Sequence, residues 1–118
     1  MSFAPPGTDA PVIDDVVVER LCLLRDRVAR PGEDVLGELL SLFERDAHVR
    51  LDDLARARSR EDQRLSAHAL KGAAANVGAA RVAAWAAHIE KNECCAEALA
   101  QLAREITAAV AALRVRLA

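Results

Sequence analysis

Apolar residues recur along this chain at helical spacing. From Pro11, the positions Val12, Ile13, Val16, Val17, Leu21, Leu24 and Val28 follow a period near 3.6, which predicts a first helix opened by Pro11 and stopped by Pro31-Gly32. A second helix is expected from Glu33-Asp34, with acids in its first turn where the helix dipole favours them. Its stripe is Leu36, Leu39, Leu40, Phe43, Ala47, Leu51 and Leu54. The polar stretch 56–62 interrupts that stripe, and Ser59 followed by Asp62 resembles a capping box. A third helix is predicted over 60–77, burying Ala67, Leu70, Ala74 and Val77, with Gly78 free to take the positive φ of a helix stop. A fourth buries Val82, Trp85, Ala86 and Ile89 and ends near Lys91-Asn92. A fifth takes up the remainder on Ala98, Leu102, Ile106, Ala109, Val110 and Leu113. No stretch alternates with the period of a strand. Short connections between long amphipathic helices predict antiparallel neighbours, hence an all-α, up-down bundle. Residues 1–10, with two prolines, a glycine and no periodicity, are expected to be a flexible tail, and 11–118 a single domain.

Composition supports the helical reading. The 118 residues include 26 alanines but only one Trp, two Phe and no Tyr. Alanine is the best helix former and a poor strand former, so the composition points away from a sandwich or barrel. Sixteen basic and 18 acidic residues give a net charge of −2, which argues against nucleic-acid binding through a basic face. The arginine-rich run over 50–64 is interleaved with Asp52, Asp53, Glu61 and Asp62 and reads as a solvated face. Residues 72–89 are almost uncharged, but Arg81 sits among them and most of the rest is alanine, so a buried helix is expected and no membrane span. No signal peptide is evident, and three cysteines, two of them adjacent, do not form a disulfide framework; a cytoplasmic protein is expected. His88, Glu90, Glu93, Cys94 and Cys95 cluster near a helix end without a metal-binding spacing, so no metal site is expected.

Of the three histidines, His48, His68 and His88, only His68 has a distinctive setting. With Ala67, Leu70 and Ala74 inward, His68 lies about 100° round the helix, towards solvent. Lys71 and Gly72 follow at i+3 and i+4 on the same face; Arg64 precedes by one turn and Arg60 by two. Glycine inside a helix costs roughly 1 kcal/mol relative to alanine, so a glycine here points to steric access. The cations suit an anionic, phosphoryl-like ligand, and imidazole is a good nucleophile near neutral pH. No acid lies at i±3 or i±4 of His68, so no local base or metal partner is expected.

The segment His68-Ala69-Leu70-Lys71-Gly72, followed by Ala74, Asn76, Gly78 and Ala79, resembles the histidine-containing phosphotransfer (HPt) domains of two-component phosphorelays. Val82, Trp85, Ile89 and Glu90 match the apolar-apolar-apolar-acid run of the family's next helix. Leu39, Leu42, Phe43 and the acid-rich stretch 46–53 look like its preceding one, so the resemblance spans about residues 12–117. One departure is Ala73, where the family commonly has serine. The resemblance implies a four-helix bundle with an additional N-terminal helix, and His68 as phosphoacceptor. Lys71 would stabilise charge and Gly72 give access, while Arg60, Arg64 and Ala75 would lie where the partner docks. It implies receiver domains of response regulators or hybrid sensor kinases as partners. Mg²⁺ would be held by the receiver, this chain would carry no cofactor, and a monomer is expected. A histidine-kinase dimerisation domain fits less well: no acid adjoins His68, no proline follows it, and the chain has no glycine-rich ATP-binding loop. The alternative is a helical adaptor without phosphotransfer, which accounts for the periodicity but not for His68, Lys71 and Gly72 together.

Overall fold

A computed structural model describes residues 10–118; the first nine residues, and with them most of the expected tail, lie outside the described part. Five helices follow one another: α1 (Asp15–Val28), α2 (Val35–Arg56), α3 (Arg60–Val77), α4 (Ala80–Lys91) and α5 (Ala96–Arg116). No strand occurs among the described residues.

Local chemistry sets most of the boundaries. The Asp34 carboxylate accepts from the Gly37 amide and starts α2, and the Ser59 hydroxyl accepts from the Asp62 amide and starts α3. Gly78 ends α3 in the left-handed conformation, at φ 80°, with its amide returned to the carbonyls of Ala74 and Ala75. A Cβ on Gly78 would stand 3.2 Å from the Asp14 carbonyl oxygen and 3.3 Å from Val17 Cβ. That glycine therefore serves both the turn into α4 and the close approach of α1.

α3 packs most extensively against α4. It also packs on α2, while α5 contacts α2 and α4. The core residues expected on α2 to α5 are all inside: Leu36, Leu40, Phe43, Ala47 and Leu54 from α2; Ala67, Leu70, Ala74 and Val77 from α3; Val82, Trp85, Ala86 and Ile89 from α4; and the six expected on α5. Leu39 and Leu51 are partly buried against them. Buried alanines allow helices to approach closely, and Trp85 and Phe43 are buried in the same core.

The first helix departs from expectation. It begins at Asp15, not Pro11, because the Asp14 carboxylate caps the amides of Val16 and Val17. Residues 10–14 form an irregular strap on the α3–α4 turn. Asp14 N donates to the Gly78 carbonyl at 2.7 Å, and Arg81 Nε donates to the Ala10 carbonyl at 2.9 Å. The buried face also differs: Val18 is the buried residue of α1, whereas Val16, Leu24 and Val28 are more than half exposed. Three consecutive valines leave the rotation of this helix ambiguous in the sequence. Docking of the strap decides it; α1 packs on α2 and α3, and its Asp15 pairs with Arg116 of α5.

Arg81, the one charge in the uncharged run, also lies 3.6 Å from Glu105 on α5. Glu105 is a buried carboxylate on an otherwise apolar face, and it accepts from Gln101 Nε2 at 2.9 Å. A buried acid needs such partners, and here one comes from a neighbouring helix. No helix among the described residues is long and apolar enough to cross a membrane.

Candidate functional site

Burial of Ala67, Leu70 and Ala74 fixes the rotation of α3 and turns His68 outward, with 64% of its side chain exposed. The neighbouring helix supplies what α3 lacks. Glu90, near the end of α4, places Oε1 2.8 Å from His68 Nδ1 and Oε2 2.6 Å from Lys71 Nζ. Its carboxylate, only 16% exposed, bridges the two side chains of α3.

The bridge settles protonation. The Lys71 ammonium, and then the His68 ring, hold the Glu90 carboxyl below its ordinary value against the opposing effect of burial. An ionised carboxylate only accepts hydrogen bonds, so Nδ1 carries the proton. In the neutral ring the lone pair is then on Nε2, which has no protein partner among the described residues.

Gly72, one turn beyond His68, is exposed, and a Cβ built on it would meet nothing within 4 Å. The space beside the imidazole is open. Ala75, two turns beyond His68 on the same face, is exposed as well. Arg64 is 45% exposed and makes a two-pronged ion pair with Glu61, its Nη2 and Nε at 2.7 and 2.9 Å from the carboxylate. This pairing lowers the Glu61 pKa and raises that of Arg64. Arg60, expected at the docking face, turns its guanidinium towards α4. Its Nη2 donates to the carbonyls of Ile89 and Glu90, because the end of a helix leaves those oxygens without partners.

The other sequence candidates lie apart from this constellation. His48 is exposed on α2. His88, on α4, meets the Trp85 ring edge-on at 6.0 Å and lies beside Asn92. Cys22, Cys94 and Cys95 are free thiols, and burial pushes the Cys94 thiol up, away from the reactive thiolate. No group of three or more metal-ligating side chains occurs among the described residues.

A family model described as the Hpt domain matches residues 38–114, well over half of the chain. The chain belongs to the Hpt domain family. Its fold is similar to that of histidine-containing phosphotransfer protein B from Pseudomonas aeruginosa PAO1. The TM-score is 0.73 and the identity 22%, over 91% of this chain and 95% of that one. Comparison with curated proteins gives no match. The stretch matched to the Hpt domain runs from the first turn of α2 into the last turn of α5 and contains His68, Lys71, Gly72 and Glu90. The strap and α1 lie outside it.

Within this Hpt domain, Glu90 is the residue that position along the chain conceals. It is 22 residues from His68, and nothing local relates the two. Its place in the apolar-apolar-apolar-acid run of the fourth helix was the available signal. Only the packing of α4 on α3 converts that signal into a contact.

Proposed function

We propose that this Hpt domain relays a phosphoryl group through Nε2 of His68, taking it from or giving it to the aspartate of a receiver domain. The Nε2 lone pair attacks phosphorus, the phosphorus–oxygen bond to the aspartate breaks, and the aspartate leaves as a carboxylate. The ring becomes a positively charged phosphoimidazole with its proton still on Nδ1. Glu90 accepts that proton's hydrogen bond, so its negative charge lies where positive charge develops. Lys71 offsets the excess charge once phosphate is present. The open space at Gly72 admits the partner's loops, since in-line transfer needs close approach of two proteins.

The observation that carries this reading is the His68–Glu90 bond on an otherwise exposed ring. It leaves one ring nitrogen nucleophilic and open to a macromolecule. Arg64 and Ala75 extend the same face for docking, and the mixed charges there suit steering of an acidic receiver pocket. We assign Mg²⁺ to the receiver, and assign the helices to a four-helix up-down bundle of α2 to α5 with α1 as an addition, in a cytoplasmic setting.

The test is incubation with a receiver phosphorylated by a small-molecule phosphodonor. The expected result is one phosphate per chain, labile to acid and stable to base. No such phosphate with any of a panel of cognate receivers would leave the helical-adaptor reading in its place.

A further inference from the structure

The position of the Glu90 carboxylate depends on where α4 ends. Glu90 is the next-to-last residue of that helix. Helix ends fray, and their last carbonyls have no intrahelical partners. Here the end is clamped. Arg60 Nη2 lies 2.6 Å from the Ile89 carbonyl oxygen and 2.8 Å from that of Glu90. The guanidinium is a cation at the negative pole of the α4 dipole. Its Nη1 is enclosed too and has no hydrogen-bond partner among the described residues, so this arginine is seated between the helices. The chain leaving α4 has a second, longer tie to α3: the Cys94 amide donates to Gln63 Oε1 at 3.4 Å.

Arg60 and His68 stand on the same helix, about 12 Å apart along its axis. α3 thus grips residue 90 twice. Arg60 holds its main chain, and His68 with Lys71 holds its carboxylate.

We propose that Arg60 is a positioning residue for phosphotransfer: by fastening the end of α4 to the start of α3, it fixes the Glu90 carboxylate at His68 Nδ1 and so selects the tautomer whose Nε2 is the nucleophile. This rests on His68 being the phosphoacceptor. A docking arginine would offer its donors to solvent, whereas these are engaged with two carbonyls. Arg64 lies on the exposed face, 45% exposed and paired with Glu61 of its own helix, so it is the arginine a receiver can reach.

The test joins two measurements on the full chain. One is the ¹⁵N chemical shifts of the His68 ring above its titration. The other is the phosphorylation rate across a range of phosphorylated-receiver concentrations. In Arg60→Ala the ring moves from the Nδ1–H form towards a tautomer mixture. The rate at saturating receiver falls about threefold to tenfold, the scale of coupling between contacting residues, and the half-saturating concentration is unchanged. Arg60→Lys, which keeps a cationic donor, recovers most of both. In a Glu90→Ala background, Arg60→Ala changes neither. Arg60→Gln replaces the alanine variant should that one unfold.

An unchanged tautomer in a folded Arg60 variant overturns the proposal. So does a full further loss of rate in the Glu90→Ala background, or an effect confined to the half-saturating concentration. Absence of phosphate on wild-type His68 would instead overturn the phosphotransfer reading, and the ring shifts would still decide what Arg60 does.

Discussion

At the scale of single residues, His68 is set apart by company more than by exposure. His48 is exposed as well, but it has no carboxylate bridge, no lysine one turn on and no open glycine beside it. His68→Gln is therefore expected to abolish phosphate uptake from a phosphorylated receiver, while His48→Gln and His88→Gln retain it. Undiminished labelling of the His68 variant would refute the assignment. Lys71, expected to stabilise charge at the site, pairs its ammonium with Glu90 and keeps that carboxylate ionised. This gives a pH prediction with a definite sign. The folded-state pKa of Glu90 lies below its ordinary value of 4.5, so its bridge contributes stability in full above that value. The contribution fades as the pH falls through the folded pKa. Wild type should lose more stability on acidification below about pH 4.5 than Glu90→Gln does, measured by denaturant unfolding across that range. Equal acid sensitivity of the two would show that the bridge does not form in solution.

At the scale of elements, a glycine within α3 and the one that ends it separate access from architecture. Gly72 has open space where its Cβ would be. Gly72→Ala should fold with up to about 1 kcal/mol more stability, because the position is exposed and helical. Gly72→Leu should keep its helicity and cut phosphotransfer strongly, since the added side chain projects beside the imidazole. Thermal melting together with a transfer rate checks both, and normal transfer in the leucine variant would exclude an access role. Gly78 is the opposite case. Its φ of 80° strains any residue with a side chain, and a Cβ 3.2 Å from the Asp14 carbonyl oxygen would press its neighbours to shift. Gly78→Ala should destabilise the fold by about 1–3 kcal/mol, read as a lower denaturation midpoint. The α3–α4 turn and the seat of α1 should loosen together, seen as faster hydrogen exchange at the amides of Asp14 and Ala79.

At the scale of the whole molecule, the described residues form a helical scaffold that exposes the His68 ring, and none of the connections among them is a glycine-rich loop that would cradle nucleotide phosphates. The purified chain is therefore expected to take no phosphate from ATP and Mg²⁺ alone, and stoichiometric labelling under those conditions would contradict the relay. The helices and their inward faces were legible in the order of residues because each of α2 to α5 carries a stripe several turns long. A stripe of that length can be buried in only one rotation. The same stripes placed His68 on the outside and Lys71 and Gly72 beside it, since both lie within one turn. What packing alone decided is everything that joins residues distant in the chain. The three valines at the start of α1 carry no preferred rotation until Asp14 reaches Gly78. Arg81 and Glu105 read as isolated charges until α4 and α5 meet. Arg60 reads as a surface cation until the open carbonyls at the end of α4 arrive beside it. Glu90 gains its place at the imidazole in the same way. Periodicity specifies which way a side chain faces, but the partner it meets there comes from another helix, and the identity of that partner depends on how the helices are packed.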